Sequence, residues 1–145
     1  MTNAQAKFAY LTFFLALIST LGSLYFSEIL QLVPCTLCWY QRIAMFPIVL
    51  ISAIGIMKKE KKLNHYILPF SVTGFIVAFY HNLLYYHILP ESFDPCVNGI
   101  SCTTKQLVWF GFITIPFMSL ISFGLISISM LLYMWSNYSK QRVNT

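Results

Sequence analysis

The sequence predicts an all-α membrane protein: a bundle of four transmembrane helices with both termini in the cytoplasm and two short outer loops. The first observation is the composition, since 58% of the residues are hydrophobic and only 9% are charged. A soluble domain of 145 residues could not hide so much apolar surface, so the bilayer must act as solvent. The other observations are four long stretches without Asp, Glu, Lys or Arg, and an uneven distribution of basic residues.

Each uncharged stretch is long enough to cross a hydrocarbon core of about 30 Å at about 1.5 Å per helical residue. The stretches predict helices at roughly 8–28, 40–57, 65–89 and 107–135. The first is expected to be a retained helix and not a cleaved signal peptide, because its apolar run exceeds the roughly 7–15 residues of a signal core. The second stretch is short, and Trp39 and Tyr40 extend it as interface anchors.

Short connections between these helices predict antiparallel neighbours in a single four-helix membrane domain, 1–145. Three prolines, Pro47, Pro69 and Pro116, lie inside apolar runs. A proline inside a helix removes a backbone donor, so each is expected to kink its helix.

The basic residues predict the orientation. Only Arg42 and Lys105 fall on the side of the two outer loops, and the positive-inside rule makes the other side cytoplasmic. The remaining Lys and Arg residues are Lys7, Lys58, Lys59, Lys61, Lys62, Lys140 and Arg142. The net charge of +5 is therefore explained by topology, and no nucleic-acid partner is expected.

All four cysteines, Cys35, Cys38, Cys96 and Cys102, lie in the two segments predicted to be outside. Disulfides persist on the outer face of a cell membrane, and an even number of cysteines fits two pairs. This distribution indicates disulfide chemistry on the extracytoplasmic side of the cell membrane.

The first pair, Cys35 and Cys38, opens the second helix. Proline is favoured at the first helical position, so this helix is predicted to begin at Pro34. The positive end of the helix dipole then favours a thiolate, which is the attacking species in disulfide exchange. Spacings of three and four residues put Cys35, Cys38 and Arg42 along one face of the helix.

Arg42 lies on the side where basic residues are avoided, about a turn from the hydrocarbon. One interpretation is a snorkelling anchor at the lipid headgroups. The other is a fixed cation that stabilises a Cys38 thiolate and polarises a carbonyl of a bound acceptor, and the shared helix face favours it.

The second pair, Cys96 and Cys102, encloses five residues that include the turn signal Asn98-Gly99. Such a loop can bring the two cysteines within bridging distance. A purely structural bridge is an alternative. Zinc is disfavoured and no metal is expected, because only one pair has C-x2-C spacing and the compartment is oxidising.

Taken together, these motifs resemble the DsbB family of disulfide bond formation proteins, and most closely its short Gram-positive branch, BdbC. The resemblance covers nearly the whole chain. It is carried by the runs Gly22-Ser-Leu-Tyr-Phe-Ser-Glu28, Cys35-Thr-Leu-Cys38-Trp-Tyr-Gln-Arg42, Pro95-Cys-Val-Asn-Gly-Ile-Ser-Cys102 and Trp109-Phe-Gly-Phe-Ile-Thr-Ile-Pro-Phe117.

The resemblance implies an electron relay. A thioredoxin-like dithiol oxidase of the DsbA or BdbD type would attack the Cys96–Cys102 disulfide at Cys96. Electrons would pass to the Cys35–Cys38 pair and then from Cys38 to a membrane quinone held against Arg42. The Gram-positive likeness favours menaquinone over ubiquinone. In the Gram-negative members a long loop separates the second pair, whereas here the spacing is a tight C-x5-C.

By the same resemblance, His81 is expected near the quinone, where it could move a proton. A buried histidine bonded to a neighbouring helix and a polar lining residue are the alternatives. A non-catalytic membrane interaction protein with two structural disulfides is the alternative to the enzyme. A conduit passing electrons outward from the cytoplasm would need thiols on the inner side, and the sequence has none there.

Overall fold

The computed structural model describes residues 3–31, 34–88, 108–109 and 113–143. Its elements in chain order are α1 (Asn3–Glu28), α2 (Thr36–Met57), α3 (Leu63–Tyr85), β1 (Val108–Trp109), β2 (Ile113–Thr114) and α4 (Ile115–Val143). All four helices include a stretch long and apolar enough to cross a membrane. The predicted bundle of four membrane-spanning helices is thereby confirmed.

The helices form a ring in which α1 and α3 each pack against both α2 and α4. The end of α3 meets the start of α4, where the Asn82 amide donates to the Pro116 carbonyl at 2.8 Å. The far end of α4 meets the α2–α3 turn, where the Tyr133 hydroxyl donates to the Glu60 carbonyl at 2.8 Å. Consecutive helices therefore run antiparallel. We call the end where α2 begins the cysteine end, and the end that carries the α2–α3 turn the basic end.

Small and apolar side chains fill the centre of the ring, among them Ala9, Ile48 and Phe123. Many large apolar side chains point outwards instead, and Ile18 and Leu50 are 66% and 65% exposed. That pattern fits a lipid-facing surface. Lipid supplies no hydrophobic drive between helices, so their association depends on close packing.

The closest packing between α3 and α4 occurs at Gly74. A Cβ at this position would collide with the buried ring of Phe123. The absence of a side chain on Gly74 thus allows the aromatic ring of Phe123, on α4, to lie directly against the backbone of α3.

Two helices end in the same hydrogen-bonded motif, with a left-handed residue just past the last turn. Lys59 (φ 51°) follows α2, and His87 (φ 55°) follows α3. After α2, the Glu60 N–H donates to the Gly55 carbonyl at 2.9 Å and the Lys59 N–H donates to the Ile56 carbonyl at 3.2 Å. This Schellman arrangement satisfies carbonyls that would otherwise lack partners near the membrane boundary.

The start of the fourth helix was predicted wrongly. The helix begins at Ile115 and not near residue 107, and two short strands precede it, with Val108 paired to Thr114 and Trp109 to Ile113. β-branched residues favour such pairing. Pro116 consequently lies in the first turn of α4, where its missing N–H costs nothing, and it does not lie in the helix interior.

Other boundaries also differ: α1 begins at Asn3 and not near residue 8, and α4 continues to Val143, eight residues beyond its predicted end near residue 135. Helix α2 begins at Thr36, with Cys35 as its N-cap, so Pro34 lies just before the helix and not at its first position. Helix α3 ends at Tyr85, four residues earlier than expected, because the left-handed His87 terminates it.

Candidate thiol redox site

Cys35 and Cys38 lie at the start of α2. Cys35 is the N-cap residue, and its carbonyl accepts a hydrogen bond from the Trp39 N–H at 3.1 Å. Cys38 lies in the first turn. Both are free thiols, and their sulfur atoms are 3.1 Å apart. The local helix start alone therefore brings this pair together, as the C-x2-C spacing predicts.

The environment of Cys35 favours its thiolate. A hydrogen bond from the Cys38 thiol lowers the pKa of Cys35, and a hydrogen bond and charge from His81 lower it further. Burial acts in the opposite direction, and the resulting pKa is about 4. These contacts favour the thiolate of Cys35, which is the attacking species in disulfide exchange, and a low pKa also makes a better leaving sulfur.

His81 reaches the cysteines from α3. Its ring is almost completely buried, and Nε2 lies 3.8 Å from the Cys35 sulfur. The other ring nitrogen, Nδ1, lies 3.2 Å from Nε2 of Gln41 on α2. If the Gln41 amide donates to Nδ1, a neutral His81 carries its proton on Nε2, facing Cys35. His81 is thus a buried histidine bonded to a neighbouring helix.

Arg42 is held inside the bundle. The residue is only 9% exposed. Its Nε donates to the Ser23 hydroxyl at 2.8 Å, and its Nη2 donates to the Ser23 carbonyl at 2.7 Å. The guanidinium also lies 5.6 Å from the centre of the Trp39 ring. This anchoring between α1 and α2 disfavours a mobile side chain that snorkels to the headgroups, and the Ser23 contacts leave the positive charge unneutralised.

A cavity of about 300 Å³ adjoins these residues. Side chains of α1, α2 and α4 line it, and its polar wall includes Cys38, Gln41 and Arg42. Apolar residues such as Phe26 and Met118 form much of the remainder. Cys35, although close to Cys38, is not part of this lining.

The structure therefore groups the predicted residues differently from the sequence hypothesis. Cys38 and Arg42 share a cavity, whereas His81 lies against Cys35 and is not among the residues that line the cavity. Cys96 and Cys102 lie outside the described residues. Their pairing and their distance from the first pair remain predictions.

Two contributing residues were missed at the sequence level. Gln41 bonds to His81 and lines the cavity, and Ser23 holds Arg42. Both lie within motifs that carry the family resemblance. Polar side chains in apolar membrane helices are functional candidates by default, and that signal could have identified them.

The same residues also meet the distance requirement for a metal site. The sulfur atoms of Cys35 and Cys38 and a ring nitrogen of His81 all lie within 4.8 Å of one another. Thiolate and imidazole are typical zinc ligands.

Comparisons with known proteins agree with the resemblance. The family model described as "Disulfide bond formation protein DsbB" matches residues 5–133. The chain is 46% identical over 125 residues to "Disulfide bond formation protein C" of Bacillus subtilis strain 168, covering 86% of this chain and 91% of that protein. It is 46% identical over 119 residues to "Probable disulfide formation protein C" of Halalkalibacterium halodurans, covering 81% of this chain and 85% of the relative.

A third relative is less similar in sequence. "Probable disulfide formation protein" of Metapseudomonas resinovorans is 38% identical over 123 residues, covering 84% of this chain and 85% of the relative. No solved structure matches the chain.

Proposed function

Because this chain belongs to the DsbB family of disulfide bond formation proteins, we propose that it is a quinone-dependent thiol–disulfide oxidoreductase of the cell membrane. It reoxidises a thioredoxin-like dithiol oxidase and passes the electrons to a membrane quinone. The observation that carries the proposal is that Cys38 and Arg42 line the same cavity. An oxidisable thiol, Cys38, and a fixed cation, Arg42, thus adjoin one ligand-sized space.

The thiol half of the reaction is supported by the geometry of the first pair. Starting from a Cys35 thiolate and a Cys38 thiol, oxidation removes two electrons and the one proton on Cys38 and leaves one disulfide bond. The sulfur separation of 3.1 Å means that little movement is needed to form that bond. The low pKa of Cys35 keeps this sulfur reactive at neutral pH.

The cavity has the properties expected of a quinone site. A bound quinone would supply an acceptor for two electrons and two protons. Its apolar body would suit the apolar walls, and N–H donors of Arg42 and Gln41 could bind its carbonyl oxygens. Arg42 has five N–H donors, of which Ser23 takes two. We propose menaquinone in preference to ubiquinone, because the sequence motifs resemble the Gram-positive branch of the family.

His81 is proposed to hold a proton for the thiol pair. Its Nε2 lies within hydrogen-bond range of the Cys35 sulfur. If the Gln41 amide turns its oxygen towards Nδ1–H, Nε2 has a free electron pair and can take up the proton that is released when Cys35 and Cys38 form a disulfide. This role differs from direct contact with a quinone, since His81 does not line the cavity.

The cysteine end is proposed to face the extracytoplasmic side. Support comes from the basic end, where Lys58, Lys59, Lys61 and Lys62 surround the α2–α3 turn, because basic connections stay in the cytoplasm. The partner would then meet Cys96 and Cys102 outside the membrane. The assignment of this second pair to the partner rests on the family.

The test combines purified protein in detergent with a menaquinone analogue and a reduced thioredoxin-like dithiol protein. We expect quinone reduction and partner oxidation to proceed together in a one-to-one ratio. Cys38→Ser should abolish both, because the cavity-lining sulfur is lost. Full activity of Cys38→Ser would refute the proposal and favour a structural role for the pair.

A matched pair of variants tests the cavity. Arg42→Met should raise the Michaelis constant for the quinone by at least about tenfold, the loss expected when a hydrogen bond from a charged group is removed. Arg142→Met removes the same charge from the exposed basic end and should change neither the Michaelis constant for the quinone nor the turnover number. Equal effects of the two variants would exclude Arg42 as a quinone-binding residue.

A further inference from the structure

A second ligand site is suggested by three side chains that converge at the cysteine end from two helices. Cys35 and Cys38 come from the start of α2, and His81 comes from the last turns of α3. Their ligand atoms all lie within 4.8 Å of one another. We propose that these three residues, with the thiol pair reduced, bind one thiophilic divalent cation of the zinc class.

The donor set and its spacing fit such an ion. Zinc binds thiolate sulfur at about 2.3 Å and imidazole nitrogen at about 2.0 Å in tetrahedral geometry, which separates its ligand atoms by roughly 3.5–3.8 Å. In the structure, the two sulfurs are 3.1 Å apart and the Cys35 sulfur is 3.8 Å from His81 Nε2. The third separation, between the Cys38 sulfur and a ring nitrogen of His81, is at most 4.8 Å, so small side-chain movements would complete the site. Three protein ligands leave the fourth position to water.

Metal-bound histidines usually make a hydrogen bond through the ring nitrogen that does not bind the metal, and Gln41 is placed to provide that bond. Its side-chain amide lies 3.2 Å from Nδ1 of His81 and leaves Nε2 directed at the sulfur of Cys35. Metal coordination requires a free electron pair on Nε2, so the ring proton must move to Nδ1. The Gln41 amide can accept a hydrogen bond from that Nδ1–H by turning its oxygen towards the ring, because an amide carries both a donor and an acceptor.

The site exists only in the reduced protein. Binding forms two metal–sulfur bonds and one metal–nitrogen bond and releases any proton that the thiols still carry. A Cys35–Cys38 disulfide has no thiolate to offer. The bound cation would hold the pair in the dithiol form and prevent its reoxidation until a chelator removes it. No quinone or protein partner is needed for this equilibrium.

Cobalt(II) is the probe, because it reports thiolate ligation and tetrahedral geometry in its absorption spectrum and zinc displaces it. The parent protein is the full chain with Cys96→Ser and Cys102→Ser, which leaves only the proposed ligands as thiols. Reduced parent should develop thiolate-to-cobalt charge-transfer bands and visible bands that saturate at one ion per chain. Zinc should abolish the bands, and prior oxidation of the parent should prevent them.

Variants identify the ligands. Cys35→Ser should eliminate the charge-transfer bands of a bis-thiolate site, and Gln41→Leu should weaken cobalt binding about tenfold or more, as loss of outer-shell support does. His81→Gln should weaken it further. His65→Gln is the matched control, because His65 lies exposed at the other end of the same helix, and it should bind cobalt as the parent does.

Three results would overturn the inference: no cobalt bands in the reduced parent, bands that persist in Cys35→Ser, or equal affinity in His81→Gln and His65→Gln. The measurement is independent of the proposed enzymatic function. Cobalt binding without quinone reduction would leave this site intact and refute the oxidoreductase. Turnover that zinc does not slow would refute the inhibitory consequence of binding.

Discussion

Cys38→Ala tests whether the neighbouring thiol controls the reactivity of Cys35. The hydrogen bond from Cys38 is the largest cause of the low pKa of Cys35, ahead of the contribution from His81. The two sulfurs lie 3.1 Å apart, whereas the ring of His81 is 3.8 Å away. We therefore expect Cys38→Ala to raise the pKa of Cys35 from about 4 by several units, and His81→Gln to raise it by less.

The size of the expected change in the pKa of Cys35 determines which measurement is useful. At pH 7 a cysteine with an ordinary pKa of about 8.5 is only about 3% thiolate, whereas Cys35 in the parent should be almost fully ionised. A thiolate of low pKa is, however, intrinsically less nucleophilic. The logarithm of its rate constant falls by about 0.4–0.5 for each unit by which the thiol pKa is lowered, and this loss partly offsets the gain in ionised fraction. The rate at pH 7 is consequently a poor measure, and the midpoint of the pH profile is the diagnostic quantity.

The assay follows alkylation of reduced protein by iodoacetamide between about pH 3 and pH 9, with a chelator present. Mass spectrometry then quantifies modification of the peptide that contains Cys35. In the parent, alkylation should be independent of pH above about pH 6 and should fall as pH drops through about 4, because the thiolate takes up a proton. A midpoint near 8.5 in the parent, or one that Cys38→Ala leaves unchanged, would refute the reasoning.

Four further variants test three other contacts in the bundle. Ser23→Ala removes a hydroxyl that accepts from Arg42 and should raise the Michaelis constant for a quinone about tenfold with little change in turnover number; an unchanged constant would contradict the proposed anchoring. Gly74→Ala should lower the free energy of unfolding by about 1–3 kcal/mol through overpacking. Gly124→Ala, whose new methyl group would lie 3.5 Å from its nearest neighbour, should change it far less, and equal thermal unfolding of these two variants in detergent would contradict the close packing. Tyr133→Phe deletes the hydrogen bond to the α2–α3 turn and should cost about 1 kcal/mol; hydrogen exchange in that turn should accelerate, and unaltered exchange would argue against this tether.

The boundaries that sequence reasoning missed have local physical causes. The predicted start of the fourth helix near residue 107 followed from an uninterrupted apolar run, but hydropathy does not distinguish a strand from a helix over so few residues. Thr114 pairs with Val108 in a short antiparallel ladder, and the helix starts only after it. The end of α3 was also misplaced, because the left-handed conformation of His87 carries no hydropathy signal.

In the candidate site, contacts within one helix could be predicted from the sequence, whereas contacts between helices could not. The proximity of Cys35 to Cys38 follows from a spacing of three residues at a helix start, so the sequence predicts it. The contact of His81 with Cys35 spans 46 positions, and the contact of Arg42 with Ser23 spans 19. Periodicity within one helix cannot predict which neighbour a side chain will face.

By itself, the sequence determined that this protein is a four-helix membrane protein with a cysteine pair at the start of its second helix. Hydropathy, helix length and spacing are properties of short segments, and the bilayer acts on each segment independently. Only the tertiary structure decided that Cys38 and Arg42 line one cavity between three helices, while His81 turns away from it towards Cys35. Those arrangements depend on how the helices rotate and pack against one another, which is a property of the whole bundle.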